Sequence, residues 1–295
     1  MILSANSPMD LDLDVKPRKK RRSFAHRYLS PIVAVMLVLA CLIPITWIVM
    51  VSFMPPRLMH ETLPAFLFMP TFDNYHDALQ ADGGKLWTYM TNSIIITMIS
   101  VTVSLILSVL AAYGIARLRP PGHGKLSLVI LASRLLPPVA LVVPFYIIAT
   151  NIGVLDTRAT LILPYIAMSI PLATWFLQGF FMDLPRELEE QARIDGCNRL
   201  MAFVRIILPL AGPGIAAASV FCFTLSWNDM VLSLPLTRQD AVTLPALVSK
   251  SRDEFGVNYG RLGAISVFIM TPAIVFSLFV QRWFVRGIAA GSTKG

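Results

Sequence analysis

The chain has 295 residues, of which 56% are hydrophobic and 14% charged, and its mean hydropathy is +0.67. A soluble domain carries roughly a quarter of its residues as charged side chains. Aqueous burial cannot absorb this much apolar sequence, so the composition excludes an ordinary soluble domain and points to a polytopic membrane protein.

Residues 1 to 27 are polar and hold Lys16, Arg18, Lys19, Lys20, Arg21, Arg22 and Arg27. Much of the net charge of +8 lies in this run. Beside an apolar segment it reads as a cytoplasmic anchor, not a nucleic-acid patch. The run from Tyr28 to Pro56 lacks Asp, Glu, Lys, Arg and His, which makes it long enough to span a bilayer and too long for a cleaved signal segment. Five more spans follow: Leu86 to Ala116, Leu126 to Ile152 with Arg134 inside it, Ala159 to Met182, Ile206 to Asn228, and Leu262 to Gln281. Each offers the ~20 residues that cross a hydrocarbon core.

The predicted fold class is therefore all-α, with six transmembrane helices and both termini on one side. Lys and Arg counts set the orientation. Segments on the amino-terminal side carry 7, 3, 4 and 3 of them, and the opposite segments carry 2, 1 and 4. This bias predicts cytoplasmic termini and a cytoplasmic loop at 183–209. On the other side, residues 57–85 and 232–260 form long loops, candidate contacts for an external protein, and residues 153–158 form a short turn.

The loop at 183–209, between spans four and five, is the only long charged stretch inside the apolar sequence. Pro185 suits a helix start, with Asp183 as candidate cap and Glu187, Glu189 and Glu190 early in the helix. Glu189 and Arg193 stand at i,i+4 in the favourable order. Gly196 can take the positive φ that ends a helix, and Asn198 can cap a second one. Leu200, Phe203, Val204 and Ile207 predict one apolar stripe. Pattern alone gives a helix–turn–helix with an apolar face at the membrane surface.

Within the spans, Ser104, Ser108 and Ala112 lie four apart and predict close helix packing. Arg134 is expensive in a bilayer, and a structural role at a helix end or subunit contact is expected for it, with Asp229 a weaker candidate partner. Asn228 and Asp229 close the fifth span and are candidates for a solute path. Gly122-His123-Gly124-Lys125 lacks the Ser/Thr and the upstream Gly of a phosphate loop, so any ATP hydrolysis belongs to another chain. Cys41, Cys197 and Cys222 predict no disulfide framework, and the scattered His26, His60, His76 and His123 predict no metal site.

Glu190-Gln191-Ala192, three residues to Gly196, nine more to Ile206, then Leu208-Pro209, resembles the EAA motif, with Asp195 also fitting. That motif marks the membrane subunits of bacterial binding-protein-dependent ABC importers. Asp73-Asn74-Tyr75, Asn92-Ser93 and Gly153-Val154-Leu155-Asp156-Thr157 are similar to the carbohydrate branch. The ending from Gln281 to Gly295 resembles the maltose-type second permease subunit, with Ala289 where a threonine is common. It implies a chain carried to its carboxyl terminus.

The resemblance implies a basic tail at 1–27, a permease domain at 28–285 and a cytoplasmic tail at 286–295, in a bacterial inner membrane. It implies that the coupling helix docks on a cytoplasmic ATPase through Glu190, Gln191, Ala192, Asp195, Gly196, Ile206 and Pro209, with Gly291 and Lys294 of the tail also reaching the ATPase. The partners implied are a second permease subunit, an ATPase dimer, an extracytoplasmic solute-binding protein and membrane lipid, with no nucleic acid, no cofactor and no bond chemistry in this chain. The solute class implied is a sugar, glycoside or polyol. The competing class, a self-contained secondary transporter or channel, calls for intramembrane acidic relays or interrupted spans. The spans hold no central Asp, Glu or Lys, yet Pro137-Pro138 could interrupt one.

Overall fold

In the computed structural model, residues 24–59, 67–249, 252–253 and 256–291 are described. The basic run at 1–23, part of the 57–85 loop, Lys250 and Lys294 lie outside them. Helices run in the order α1 (Phe24–Ser52), α2 (Asp73–Gly84, irregular at Ala81, Asp82 and Gly83), α3 (Leu86–Tyr113, continued as a π-helical turn over Gly114–Leu118), α4 (His123–Ala132), α5 (Pro138–Asn151), α6 (Arg158–Asp183), α7 (Glu187–Ile194) and α8 (Arg199–Ala202). A second π turn, Phe203–Ile207, leads to α9 (Leu208–Leu210) and α10 (Gly212–Trp227). After α11 (Ser233–Leu236) and α12 (Leu244–Val248), a two-residue-per-strand hairpin, β1 (Arg252–Asp253) with β2 (Gly256–Val257), precedes α13 (Tyr259–Gly291). The chain divides between Trp47 and Ile48 into two compact units. In the first, the described part is the apolar helix up to Trp47, which keeps its helical backbone through Pro31 and Pro44.

Among the described residues, four helices are long and apolar enough to cross a membrane: Pro31–Ser52, Leu86–Leu118, Arg158–Asp183 and Tyr259–Arg282. The expected third and fifth spans are both broken, the third at the Pro137-Pro138 that the sequence marks as a possible interruption. His123–Leu135 meets Pro138–Asn151 at 87°, and Arg199–Leu210 meets Gly212–Trp227 at 72°. The count is four, or up to six if each bent pair serves as one span. The first break follows from Pro137 and Pro138. Neither has an N–H to donate, and a proline drives the residue before it out of the α region. Leu136 (ψ 123) and Pro137 (ψ 135) are extended accordingly. Arg134 sits in the short turn Ser133–Leu135 at this break, half-buried. The second break lies at Ala211, which stays in the α region (ψ −2), just ahead of Pro213 in the first turn of α10.

The centre of the second unit is α3 against α6, with α10 packed on both and α13 packed on α10 and α2. The small-residue expectation holds. Ser100, Ser104, Ser108 and Ala112 are fully buried, and the hydroxyls of Ser100 and Ser108 reach Ile162 O at 3.5 Å and Ile170 O at 3.4 Å on α6. Close approach extends to α10, where a Cβ on Gly214 would lie 2.6 Å from the Phe180 ring. Phe223 stacks on Phe276 at 4.1 Å and on Trp227 at 5.4 Å, joining α10 to α13.

At the Leu86 end of α3, polar side chains hold loops in place of backbone ladders. Asn74 Nδ2 donates to Ser52 O (3.0 Å) and Met54 O (2.8 Å). Asn92 Nδ2 donates to Asp240 O (2.7 Å) and Val242 O (3.1 Å), while Arg158 Nε donates to Asn92 Oδ1 (2.9 Å). The Leu244 N–H donates to Ser93 Oγ at 2.7 Å. Asp156, at φ +60, accepts the N–H groups of Arg238, Gln239, Asp240 and Ala241 at 2.8–3.3 Å. Partial burial pushes the Asp156 carboxyl up, but those four backbone donors outweigh it and hold it below its ordinary value of 3.8. A group lowered on folding stabilises fully above its unfolded value and loses that contribution as pH falls through its folded value. The melting temperature of wild type minus that of Asp156→Asn is therefore expected to be positive and flat from about pH 7 to about pH 5, and to shrink below the ordinary carboxyl value. A difference that grows on acidification would contradict this role.

Candidate coupling site

At the opposite end of α3, residues 183–209 fold as two short helices reversing at a tight turn. α6 runs on through Asp183, so Asp183 ends that helix and does not cap the next. Leu184 is extended before Pro185 (ψ 136), which separates α6 from α7. α7 opens with Glu187, Glu189 and Glu190 in its first turn, where the helix dipole favours negative charge. Its end is the left-handed cap expected at Gly196, with φ +88. The Cys197 N–H donates to Ala192 O (2.9 Å) and the Gly196 N–H to Arg193 O (3.2 Å), satisfying carbonyls the helix end would orphan. Asn198 caps α8 as expected, its Oδ1 accepting the Met201 N–H at 2.7 Å. Ala192 and Ala202, on the two arms of the hairpin, are 3% and 2% exposed. Ala192, the third motif residue, is the buried residue of α7.

Two contacts tie this hairpin to α3, and sequence spacing foresees neither. The Tyr113 ring packs on Phe203 at 4.4 Å and on Phe181 at 5.9 Å. Arg117 Nε stands 3.2 Å from Glu189 Oε1, and Arg117 Nη2 donates to Leu184 O at 2.9 Å. Glu189 thus pairs across the fold with Arg117 instead of along its own helix with Arg193. A buried guanidinium, 4% exposed, gains more from a carboxylate than an exposed one does. The predicted stripe also splits. Phe203 and Ile207 are buried, whereas Leu200 and Val204 face out with Ile194 and Met201. The π turn at Phe203–Ile207 commits one side of the stripe to α3 and α6 and leaves the other uncovered.

The remaining motif residues divide by exposure. Glu190, Gln191, Asp195, Gly196 and Pro209 are exposed, and Ile206 is half-buried. A polar cleft of about 190 Å³ lies beside them, lined by Tyr113, Arg117, Arg186, Glu189, Glu190, Arg193 and Arg199 among others. Four guanidinium groups against two carboxylates leave it net positive.

Away from this end, Asp229 is fully engaged. Its Oδ2 accepts Tyr165 OH (2.9 Å) and the N–H groups of Leu232 (3.0 Å) and Ser233 (3.2 Å), so it organises the entry to α11. Asn228 is exposed and donates to Thr224 O at 3.2 Å within its own helix. No ion pair joins Arg134 to Asp229 among the described residues. Gly291 ends α13, and Lys294 lies outside the described residues. Among these residues no group of three or more His, Cys, Asp or Glu is placed to hold a metal ion. Sequence reasoning passed over Tyr113, Arg117 and Asp156 as functional positions. An Arg closing an apolar span opposite an acidic helix start was the available signal for Arg117.

Residues 104–290 match the family described as the binding-protein-dependent transport system inner membrane component. The chain belongs to this family. The match contains the whole helical hairpin at 183–209. The permease is 36% identical over 259 residues to the trehalose transport system permease protein SugB of Mycobacterium tuberculosis, covering 86% of this chain and 93% of that one. It is 32% identical to the diacetylchitobiose uptake system permease protein DasC of Streptomyces coelicolor, covering 93% and 100%. A solved bacterial ABC transporter involved in the import of the acidic polysaccharide alginate contains a chain similar in fold, with TM-score 0.70 and 25% identity over 89% of this permease and 99% of that chain. The permease is thus a multi-pass inner-membrane component of an ABC transport system, and the self-contained transporter or channel is set aside.

Proposed function

We propose that this permease forms half of the translocation pathway of an ATP-driven importer for a sugar, glycoside or polyol, and that it docks on the ATPase through residues 183–209. The observation that carries the proposal is the hairpin itself. It is a short acidic-start helix, a glycine turn and a second helix, which together present Ile194, Leu200, Met201 and Val204 outward. Exposed apolar residues rimmed by charge suit a protein groove. Glu190, Gln191, Asp195, Gly196, Ile206 and Pro209 surround that face, and Ala192 is the buried residue that lets α7 sit close. Gly291 and Lys294 extend the contact from the carboxyl tail. In this reading each bent helix pair crosses the membrane once, six spans in all, and both termini are cytoplasmic. ATP binding closes the ATPase dimer, the docked hairpins of the two permease subunits move together, and the membrane cavity turns outward to take solute from a solute-binding protein. Asn228 and Asp229 belong near the mouth of that cavity, with Asp229 shaping it through α11.

The names of the relatives support carbohydrate as the class. The spans offer hydroxyl, amide and aromatic groups with no central acid, which suits a neutral solute. An acidic carbohydrate is the second reading. Its support is Arg134, a half-buried cation at the break between α4 and α5 with no ion pair to Asp229.

Two measurements test the proposal. With Cys41→Ser and Cys222→Ser in place, the remaining Cys197 should react with an impermeant maleimide only in inverted vesicles; labelling in intact cells reverses the topology. The cognate solute-binding protein should bind trehalose or another neutral oligosaccharide. Preference for an alginate oligomer moves the class to acidic carbohydrates, and binding of an amino acid alone overturns it.

A further inference from the structure

We propose that Arg117 is a positioning residue, a strut that makes the docking helix and α3 move as one body. This rests on the docking reading above and adds the element through which docking is felt in the membrane. Arg117 lies in the π turn that ends α3, and its side chain is almost fully buried. A buried guanidinium is retained only where partners surround it. Its partners come from two places, Glu189 on α7 at 3.2 Å and Leu184 O in the link between α6 and α7 at 2.9 Å. Nε and Oε1 carry no hydrogen bond of their own, so the Glu189 contact is a charge pair. One turn earlier, Tyr113 packs on Phe203 at 4.4 Å, beyond the glycine turn. The last turns of α3 therefore hold both arms of the hairpin.

The link itself breaks the helical backbone between α6 and α7. Leu184 is extended, Pro185 has no N–H to give, and Arg186 is exposed. Without the strut, a displacement of α7 is absorbed by rotation about the ψ angles of Leu184, Pro185 and Arg186, since the ring fixes the Pro185 φ. With it, the displacement passes into α3. That helix is continuous from Leu86 to Leu118. At its far end Asn92 and Ser93 hold residues 240–244. The distance from Asn92 to Arg117 along the helix is about 37 Å at 1.5 Å per residue. Arg186, Arg193 and Arg199 share the cleft, as does Glu190, but all four are exposed and interact weakly through solvent. They do not replace a buried pair.

The test uses the assembled transporter, with both permeases, ATPase and binding protein, in proteoliposomes. It reads two quantities: ATPase recovered with the permease, and solute accumulated per ATP hydrolysed. Arg117→Gln and Glu189→Gln should each keep ATPase recovery within about twofold of wild type and lower solute per ATP about tenfold, because hydrolysis continues while α3 no longer follows. The pair Arg117→Glu with Glu189→Arg should recover at least about a third of the lost coupling. If Arg117→Gln fails to assemble, Glu189→Gln, which keeps the buried cation, decides alone. Unchanged solute per ATP in an assembled variant, or no recovery in the reversed pair, overturns the strut. Absence of ATPase from the wild-type preparation would instead overturn the docking reading.

Discussion

Gly196→Val is expected to leave the permease in the membrane and to remove most of the ATPase from the purified complex. Gly196 stands at φ +88, where an ordinary L-residue costs about 1–2 kcal/mol and a β-branched one is worse placed still. Space is not the obstacle, since a Cβ there meets nothing within 4 Å. The cost is conformational, and relaxing it opens the two hydrogen bonds to Ala192 O and Arg193 O that set the angle between α7 and α8. A loss of about 1.4 kcal/mol in docking is tenfold in affinity, so ATPase recovery should fall at least about that far. Gly196→Asn is the control, because asparagine visits the left-handed region more readily, and it should retain more than half. Glu190→Lys should act chiefly by reversing charge on the docking face, its side chain being exposed, with a fold cost limited to about 0.3–1 kcal/mol from a cation in the first turn of α7. Full ATPase recovery with both Gly196→Val and Glu190→Lys removes the docking role from this hairpin.

Asn92→Leu is expected to release the segment from Arg238 to Val248 from the bundle. Asn92 is fully buried and takes part in three hydrogen bonds, two donated to Asp240 O and Val242 O and one accepted from Arg158 Nε. Leucine is of similar size but returns none of them. It leaves the buried Val242 O without its donor, at about 1–3 kcal/mol, while Asp240 and Arg158 are exposed and their freed groups can turn to water. The loss is therefore expected at about 1–3 kcal/mol, most of it from the Val242 carbonyl. Tryptic cleavage after Arg238 should accelerate several-fold over wild type, with a lowered melting temperature. Arg158→Ala should fall between the two, since it removes one of the three bonds. Equal cleavage rates in wild type and Asn92→Leu would show that the segment is held by its apolar residues Leu244 and Leu247 alone.

These two sites explain what several sequence resemblances are made of. Asn74, Asn92, Ser93 and Asp156 all serve to hold loops that have no ladder partners. In a bundle whose interior is apolar, a loop backbone must find donors and acceptors from side chains. Short polar residues at helix ends are the ones that reach.

The positions of the apolar helices were legible in the amino-acid order alone, because hydrocarbon length and backbone self-satisfaction leave few alternatives. So was the hairpin at 183–209. Glycine at the left-handed position and asparagine at the cap act within four residues of themselves, and such local rules need no tertiary information. The long-range partner of each side chain was not legible, and three-dimensional packing settles it. Glu189 had Arg193 within reach on its own helix and chose Arg117, 72 residues away in sequence, because the latter is buried and the former wet. Leu200 and Phe203 share one stripe by periodicity, yet only Phe203 is covered, because Tyr113 and Phe181 stand on that side. Asp183 looks like a cap until α6 extends through it. Pro137 and Pro138 mark one break in the sequence, but the 87° and 72° bends are read only from the folded chain. Periodicity reports what a segment can do alone; burial against a distant helix decides between options that are locally equal.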